Sequence, residues 1–403
     1  MVLLICSLRL GSAQQLTPVW VELGENGAVI ARVVVNAVGE CPSIAVDGGT
    51  RPMNARLPVP RGFLPACEAT LPEGAKSASV DGRALALPKP DPSRIVVFGD
   101  SGCRIKGGEI QDCNNSDAWP FPLVAAMAAA GKPDLMIHVG DYLYREDMCP
   151  PANKSFCGGT PSGDNWPTWY ADFFTPAAKL LAGTPWVFAR GNHENCARSW
   201  RGWFYYLDPH AWRGDQCEAF QPPYLARLGA FQLIVFDSSA VTQNMTEQQV
   251  EHYSHELASL HVEHAWLVVH HPFWGFSTVG STPVAASLGL QKAWQQADPK
   301  GIDLVVSGHV HLFELLSFDH GLPPALVAGV GGTDLASPIE KPLAGIRMGD
   351  AKVAAGISEH QFGFTMLTRV AQGWRLVLRN AHNRLLADCV ISGRETSCRE
   401  TER

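Results

Sequence analysis

The chain has 403 residues, 46% of them hydrophobic and only 18% charged, ample to bury a core and too long for one ordinary domain. A formal net charge of −7 without a basic cluster argues against nucleic acid or an anionic membrane as the main partner. No apolar run reaches the roughly 18 residues that a membrane-spanning helix needs.

At the N-terminus, Met1 to Leu10 is mostly apolar and Gly11-Ser12-Ala13 follows with small residues. The pattern predicts a signal peptide over 1–13, with Gln14 opening the mature chain, although a positive n-region is missing and Arg9 interrupts the run. Of the 11 cysteines, all but Cys6 fall into neighbours along the chain: Cys41/Cys67, Cys103/Cys113, Cys149/Cys157, Cys196/Cys217 and Cys389/Cys398. Local pairs of this kind predict disulfides and a secreted or periplasmic protein, against scattered thiols in a cytosolic enzyme. With no Cys-x-x-Cys, a structural zinc cluster has no support.

Residues 14–88 read as β. Val19, Val21 and Leu23 alternate, Ala28 to Val35 continues, and Asp47-Gly48 and Asp81-Gly82 are hairpin turn signals, so a small β-sandwich is expected. The proline-rich stretch from Leu87 to Pro92 then makes a stiff linker, placed at 89–93, before a second, larger domain over 94–403.

From residue 94 short apolar runs predict strands at Arg94–Phe98, Leu135–Val139, Trp186–Ala189, Phe231–Phe236, Trp266–Val269 and Ile302–Val306. Helices are predicted between several of them, at Phe121–Ala130, Trp169–Leu181 and Glu247–Leu260, the last with Thr246 and Gln249 spaced as a capping box. Alternation of strand and helix means an α/β core with sheets buried on their faces. The C-terminal third returns to β (Leu312–Phe318, Ala325–Val330, Phe364–Val370, Trp374–Arg379) and is expected to complete a second sheet.

Five of the predicted strands are followed at once by a polar signature: Gly99-Asp100-Ser101-Gly102, Gly140-Asp141-Tyr142-Leu143-Tyr144, Gly191-Asn192-His193-Glu194, His270-His271-Pro272 and Gly308-His309-Val310-His311. Ligands of open α/β sheets bind beyond the carboxyl ends of strands, so these loops should converge. Carboxylate, amide, phenol and imidazole donors without a thiolate suit Mn, Fe or Zn, and there are too many for one tetrahedral ion. Taken singly, each residue has a blander reading: Asp100, Asp141 and Asn192 as turn formers, Tyr144 as a core aromatic, His309 and His311 as a polar strand face. His252/His255 and His261/His264 read as surface histidines.

In this order the motifs GDxG, GDxxY, GNHE, H-x-P and GHxH resemble the calcineurin-like metallophosphoesterases over roughly residues 94–320. The tyrosine three residues after the second aspartate is similar to the purple acid phosphatase variant, and the β-rich N-terminal part to the fibronectin III-like domain of plant-type members. The resemblance implies a two-sheet α/β sandwich that hydrolyses phosphate esters by attack of a metal-activated hydroxide. It implies Asp100, Asp141, Tyr144 and His311 on a first metal, with Asp141 bridging to a second held by Asn192, His270 and His309. A phenolate ligand points to Fe(III) at the first position, with Fe(II), Zn or Mn at the second. His193 would act on the leaving group or the transition state. The H-x-P spacing favours His270 over His271, and the segment from Trp274 to Thr282 lacks the further histidine of purple phosphatases. Two rivals are a serine esterase with Ser101 as nucleophile and a non-catalytic binding protein on the same fold. Neither Asp319-His320 nor Glu359-His360 has the Asp-x-x-His spacing that the esterase needs. The insertion Arg145–Tyr170 is expected to shape substrate access.

Overall fold

The computed structural model describes residues 18–279, 282–319, 321–339 and 342–400; the expected leader at 1–13 lies outside them. Two mixed sheets, of eleven and eight strands, form its centre. In the first, Arg94–Phe98, Leu135–His138 and Trp186–Phe188 run parallel. In the second, Phe231–Phe236, Ala265–Val269, Ile302–Ser307 and Ala325–Ala328 do so.

The pleat sorts alternate residues to opposite faces. Ile95, Val97, Ile137 and Val187 pack in one core with Leu233, Val268, Val306 and Leu326 of the other sheet. Val96, Phe98, Met136 and Trp186 turn outward onto Phe121, Val124, Ala177 and Leu180 of the helices Phe121–Ala130 and Thr175–Gly183. On the far side Ile234, Leu267 and Val305 lie under the helices Glu247–Ala258 and Leu288–Ala297. Strands covered on both faces read as unbroken apolar runs, which is why they were legible. The result is the expected α/β two-sheet sandwich, with helices on both outer faces.

The predicted capping box is present, with Thr246 and Gln249 each bonding the other's backbone N–H. Two expectations are corrected, and one helix is new. The helix expected at 169–181 is an α-helical turn at Trp166–Trp169, a π-helical turn at Tyr170–Phe174, then α-helix from Thr175. Helix Leu288–Ala297, started by the Ser287 side chain, was not anticipated. The C-terminal strands are divided between the sheets. Phe313–Phe318 joins the second, whereas Gly363–Val370 pairs antiparallel with Arg94–Phe98 and carries three more strands onto the edge of the first. Leu367, Leu376, Leu378 and Leu386 give those strands an apolar face for the inter-sheet core.

The N-terminal strands enclose a core of their own, with Val21, Val33, Ile44, Cys67 and Val80. Both expected hairpin turns form, with Asp47, Gly48, Asp81 and Gly82 at φ 49, 85, 48 and 72°. One of the two sheets there is continuous with the eleven-stranded sheet, because Val19–Leu23 lies parallel to Trp186–Phe188, Glu22 opposite Trp186. Buried charge seals the junction. Arg32 reaches Glu22 (2.7 Å), Glu68 (3.0 Å) and the carbonyls of Tyr206 and Asp208 (2.7 Å each), and Arg56 bonds Glu68 and the carbonyl of Phe204. All five expected cysteine pairs are disulfides. Among the described residues no helix is long and apolar enough to cross a membrane.

One buried acid sets a pH dependence. Glu314 accepts the Phe276 N–H (2.9 Å), its other oxygen has no partner, and burial pushes its pKa from 4.5 up to about 8. An acid raised on folding contributes stability that is complete below its unfolded value and lost as pH rises through about 8. Thermal melting of Glu314→Gln should therefore fall less between pH 5 and pH 8 than that of the wild type; parallel curves would show that Glu314 is ionised in the fold.

Candidate metal centre

The five polar loops leave the carboxyl ends of neighbouring strands and bond to one another. Asp100 N–H donates to Gly140 O (2.9 Å), Gly308 N–H to His270 O (3.0 Å), and His309 N–H to Asp100 Oδ2 (3.0 Å). Asp100, Asp141 and His309 take left-handed backbone conformations (φ 57, 59 and 66°), which turn each chain sharply so that its side chain points back into the cluster. A Cβ at Gly191 would collide with the Asp141 carboxylate, so glycine is required where those loops meet.

Two donor sets result. In the first, Tyr144 Oη lies 2.9 Å from Asp141 Oδ2, 3.1 Å from Asp100 Oδ1 and 3.0 Å from His311 Nε2. One hydroxyl proton cannot serve three acceptors, and a cation among these atoms would satisfy them all. In the second, Asn192 Oδ1 lies 3.0 Å from His270 Nε2 and 2.9 Å from His309 Nδ1. Asp141 Oδ2 is also 3.2 Å from His270 Nε2, so one carboxylate oxygen faces both sets. His270 and His311 each direct Nδ1 at a backbone carbonyl, of Val139 and Asp334 (2.8 Å each), the outer-shell bond that leaves Nε2 for a metal. His271, the alternative register, also reaches this cluster.

The electrostatics call for positive charge. Burial, then the charges of Asp100 and Asp141, hold the Tyr144 phenol well above its ordinary range. Asp141 is held well below the carboxylate range: burial opposes ionisation, but His270 and His193 outweigh it. His309 is lowered to about 3, chiefly by burial and then by His270, which keeps it neutral and able to ligate.

His193 is buried against the first set, its ring 3.8 Å from that of Tyr144 and Nε2 3.8 Å from Asp141 Oδ2. Its Nδ1 lies 2.7 Å from Glu146 Oε1, and Arg198 bonds the same carboxylate. Neither Glu146 nor Arg198 stands in a motif, and the sequence reading missed both.

It also gave no role to two buried carboxylates that organise the loops, Glu194 of the third signature and Asp172. Glu194 accepts the N–H groups of Asp141 (3.1 Å), Tyr142 (2.9 Å), Leu143 (3.2 Å) and Gly191 (3.2 Å), locking the second loop to the third. Asp172, in the π-helical turn, accepts those of Cys103 (3.1 Å), Tyr144 (2.9 Å) and Arg145 (3.1 Å) and pairs with the Arg145 side chain at 2.5 Å. Its one signal in the sequence was a lone acid among Trp169, Tyr170, Phe173 and Phe174. Asp172→Ala would leave a buried guanidinium unpaired, a change that typically costs about 3–5 kcal/mol. Equilibrium denaturation of the metal-free protein should register that loss, and a loss below about 1 kcal/mol would mean that Arg145 finds other partners.

Ser101 does have a histidine partner, His138 Nε2 at 3.0 Å, but both side chains are fully buried and closed in by Phe98, Tyr142 and Phe173. No ester could reach that hydroxyl.

Among solved structures the fold is similar to the purple acid phosphatase PPD1 isolated from yellow lupin (Lupinus luteus) seeds: TM-score 0.59, 15% identity, 91% of this chain and 72% of that one covered. It is also similar to PhoD, with TM-score 0.57, 11% identity, and 96% and 91% covered. At these identities the likeness is one of fold. No curated protein sequence matches the chain. The family model described as calcineurin-like phosphoesterase matches residues 93–313, more than half of the chain and all five loops, and the chain belongs to that family.

Proposed function

We propose that the protein is a dinuclear metal-dependent phosphoesterase of the purple acid phosphatase kind. The observation that carries this reading is Asp141 Oδ2, shared between Tyr144 Oη at 2.9 Å and His270 Nε2 at 3.2 Å. Asp100, Asp141, Tyr144 and His311 would hold the first ion, and Asn192, His270 and His309 the second, with Asp141 common to both. A phenol whose ionisation burial and two carboxylates oppose becomes a ligand only beside a strong positive charge. Fe(III) fits the Tyr144 position, and Fe(II), Zn or Mn the other. When bound, the ions supply Lewis-acid polarisation of the phosphoryl group and of the attacking water.

His193 is the proton donor to the leaving oxygen, its ring oriented by Glu146 at Nδ1 and by Arg198, whose Nη2 lies 2.8 Å from both ring nitrogens, with Nε2 3.8 Å from Asp141 Oδ2. The substrate is a phosphate ester, admitted past the Arg145–Tyr170 insertion. That segment is stapled by Cys149–Cys157 and tied to the short hairpin at 105–110 through Asp147 Oδ2, which accepts the Gly107 N–H. The five disulfides and the signal-like leader support a secreted or periplasmic location.

Chelation followed by metal analysis tests the reading. The reoxidised protein should carry two metals per chain and a phenolate-to-iron colour that Tyr144→Phe removes, and chelation should abolish phosphate-ester hydrolysis. Full activity in a colourless, iron-free wild type would defeat the iron assignment alone. Activity indifferent to chelation would defeat the whole proposal, and metal binding without cleavage of any mono- or diester would leave the binding-protein reading.

A further inference from the structure

We infer that His271 is a third imidazole ligand of the second metal position, beside His270 and His309. The inference rests on the dinuclear reading above. Sequence spacing offered His270 and His271 as alternative registers of one ligand, whereas the structure brings both rings to the same place. A nitrogen of each of His270, His271 and His309 lies within 4.8 Å of the others. The His271 ring sits 4.0 Å from that of His309 and 5.1 Å from that of His270, at 89° to the latter.

Neighbouring side chains on a strand point to opposite faces. Here the strand ends at Val269, and the chain turns ahead of Pro272, which lets two successive imidazoles face one point. Ser238, at the end of the adjacent strand, fixes the second of them. Its Oγ accepts the His271 N–H at 2.8 Å and lies 3.3 Å from Nδ1. The ring is thus held as those of His270 and His311 are, by one nitrogen, with the other left for a cation. His271 is only 5% exposed and is packed against two imidazoles.

The second position would then offer three imidazoles, the Asn192 amide oxygen and the shared Asp141 oxygen. An imidazole-rich set suits zinc or iron over the harder manganese, which narrows the choice left open by Asn192, His270 and His309.

Zinc and manganese titrations of the metal-free full chain test this, with His271→Ala and His271→Phe compared against His309→Ala, and folding checked by thermal melting. The phenylalanine keeps a ring against His309 without a donor, so the test stands even where alanine fails to fold. Both His271 variants should weaken zinc at one position by about tenfold or more, since loss of an outer-shell partner alone costs 10–100-fold. The other position should be unchanged, and the preference for zinc over manganese should shrink. Unchanged zinc affinity in both His271 variants, while His309→Ala empties one position, would overturn the role of His271. Fewer than two zinc ions bound by the wild type would instead overturn the dinuclear reading.

Discussion

Asp141→Ala should empty both metal positions and slow phosphate-ester hydrolysis by about 10³-fold or more. The carboxylate is almost wholly buried, and its Oδ2 faces Tyr144 Oη and His270 Nε2, so its loss takes one oxygen from both donor sets. Metal polarisation of a phosphoryl group is worth several kcal/mol, and each 1.36 kcal/mol is tenfold in rate. Folding should survive, because Glu194 still holds the loop through the backbone N–H groups of residues 141–143. Metal analysis and kinetics on the folded variant decide the matter. Two retained metals with activity within tenfold of the wild type would show that the sites are independent and share no carboxylate.

His193→Ala should slow alkyl phosphates by about 10²–10⁴-fold, the usual worth of general acid catalysis. Aryl phosphates with acidic phenols need less help from an acid and should lose less. Metals should stay, because the bond from His193 to Asp141 Oδ1 (2.8 Å) comes from the backbone N–H and persists in alanine. Equal slowing of both substrate types would replace the acid role with stabilisation of transition-state charge. Loss of metal would make His193 a ligand or a structural residue.

The legible parts of the molecule were the local ones. A strand buried on both faces announces itself as an apolar run, and a polar loop begins where the run ends, so the convergence of Asp100, Asp141, Asn192, His270 and His309 could be expected from order along the chain. The capping box at Thr246 and Gln249 and the two Asp-Gly turns were legible for the same reason, each being complete within four residues. Features closed through space were not. Asp172 meets Cys103 and Tyr144 only because a π-helical turn rotates it toward the loops, and an expected straight helix would have aimed it elsewhere. Gly363–Val370 could have extended either sheet, since an alternating strand fits any apolar face of the right width. His271 was treated as a competitor of His270 because spacing counts positions and cannot tell where a turning chain sends two adjacent rings.

The parallel pairing of Val19–Leu23 with Trp186–Phe188 has a consequence for biosynthesis. Val19–Leu23, the first strand among the described residues, acquires its antiparallel neighbour, Val29–Val34, almost at once, but its other edge is completed only when the chain has grown by roughly 160 residues. Over that interval an apolar edge (Val-Trp-Val-Glu-Leu) stands open on the nascent chain, and an open edge is a template for pairing with other chains. Closing it is also a long-range contact, the kind that slows folding. Glu22 and Arg32, whose charges meet between Val19–Leu23 and Val29–Val34, place ionic groups on strands that would otherwise offer only apolar surface to a passing neighbour, so a pair buried in the finished fold also guards its unfinished edge.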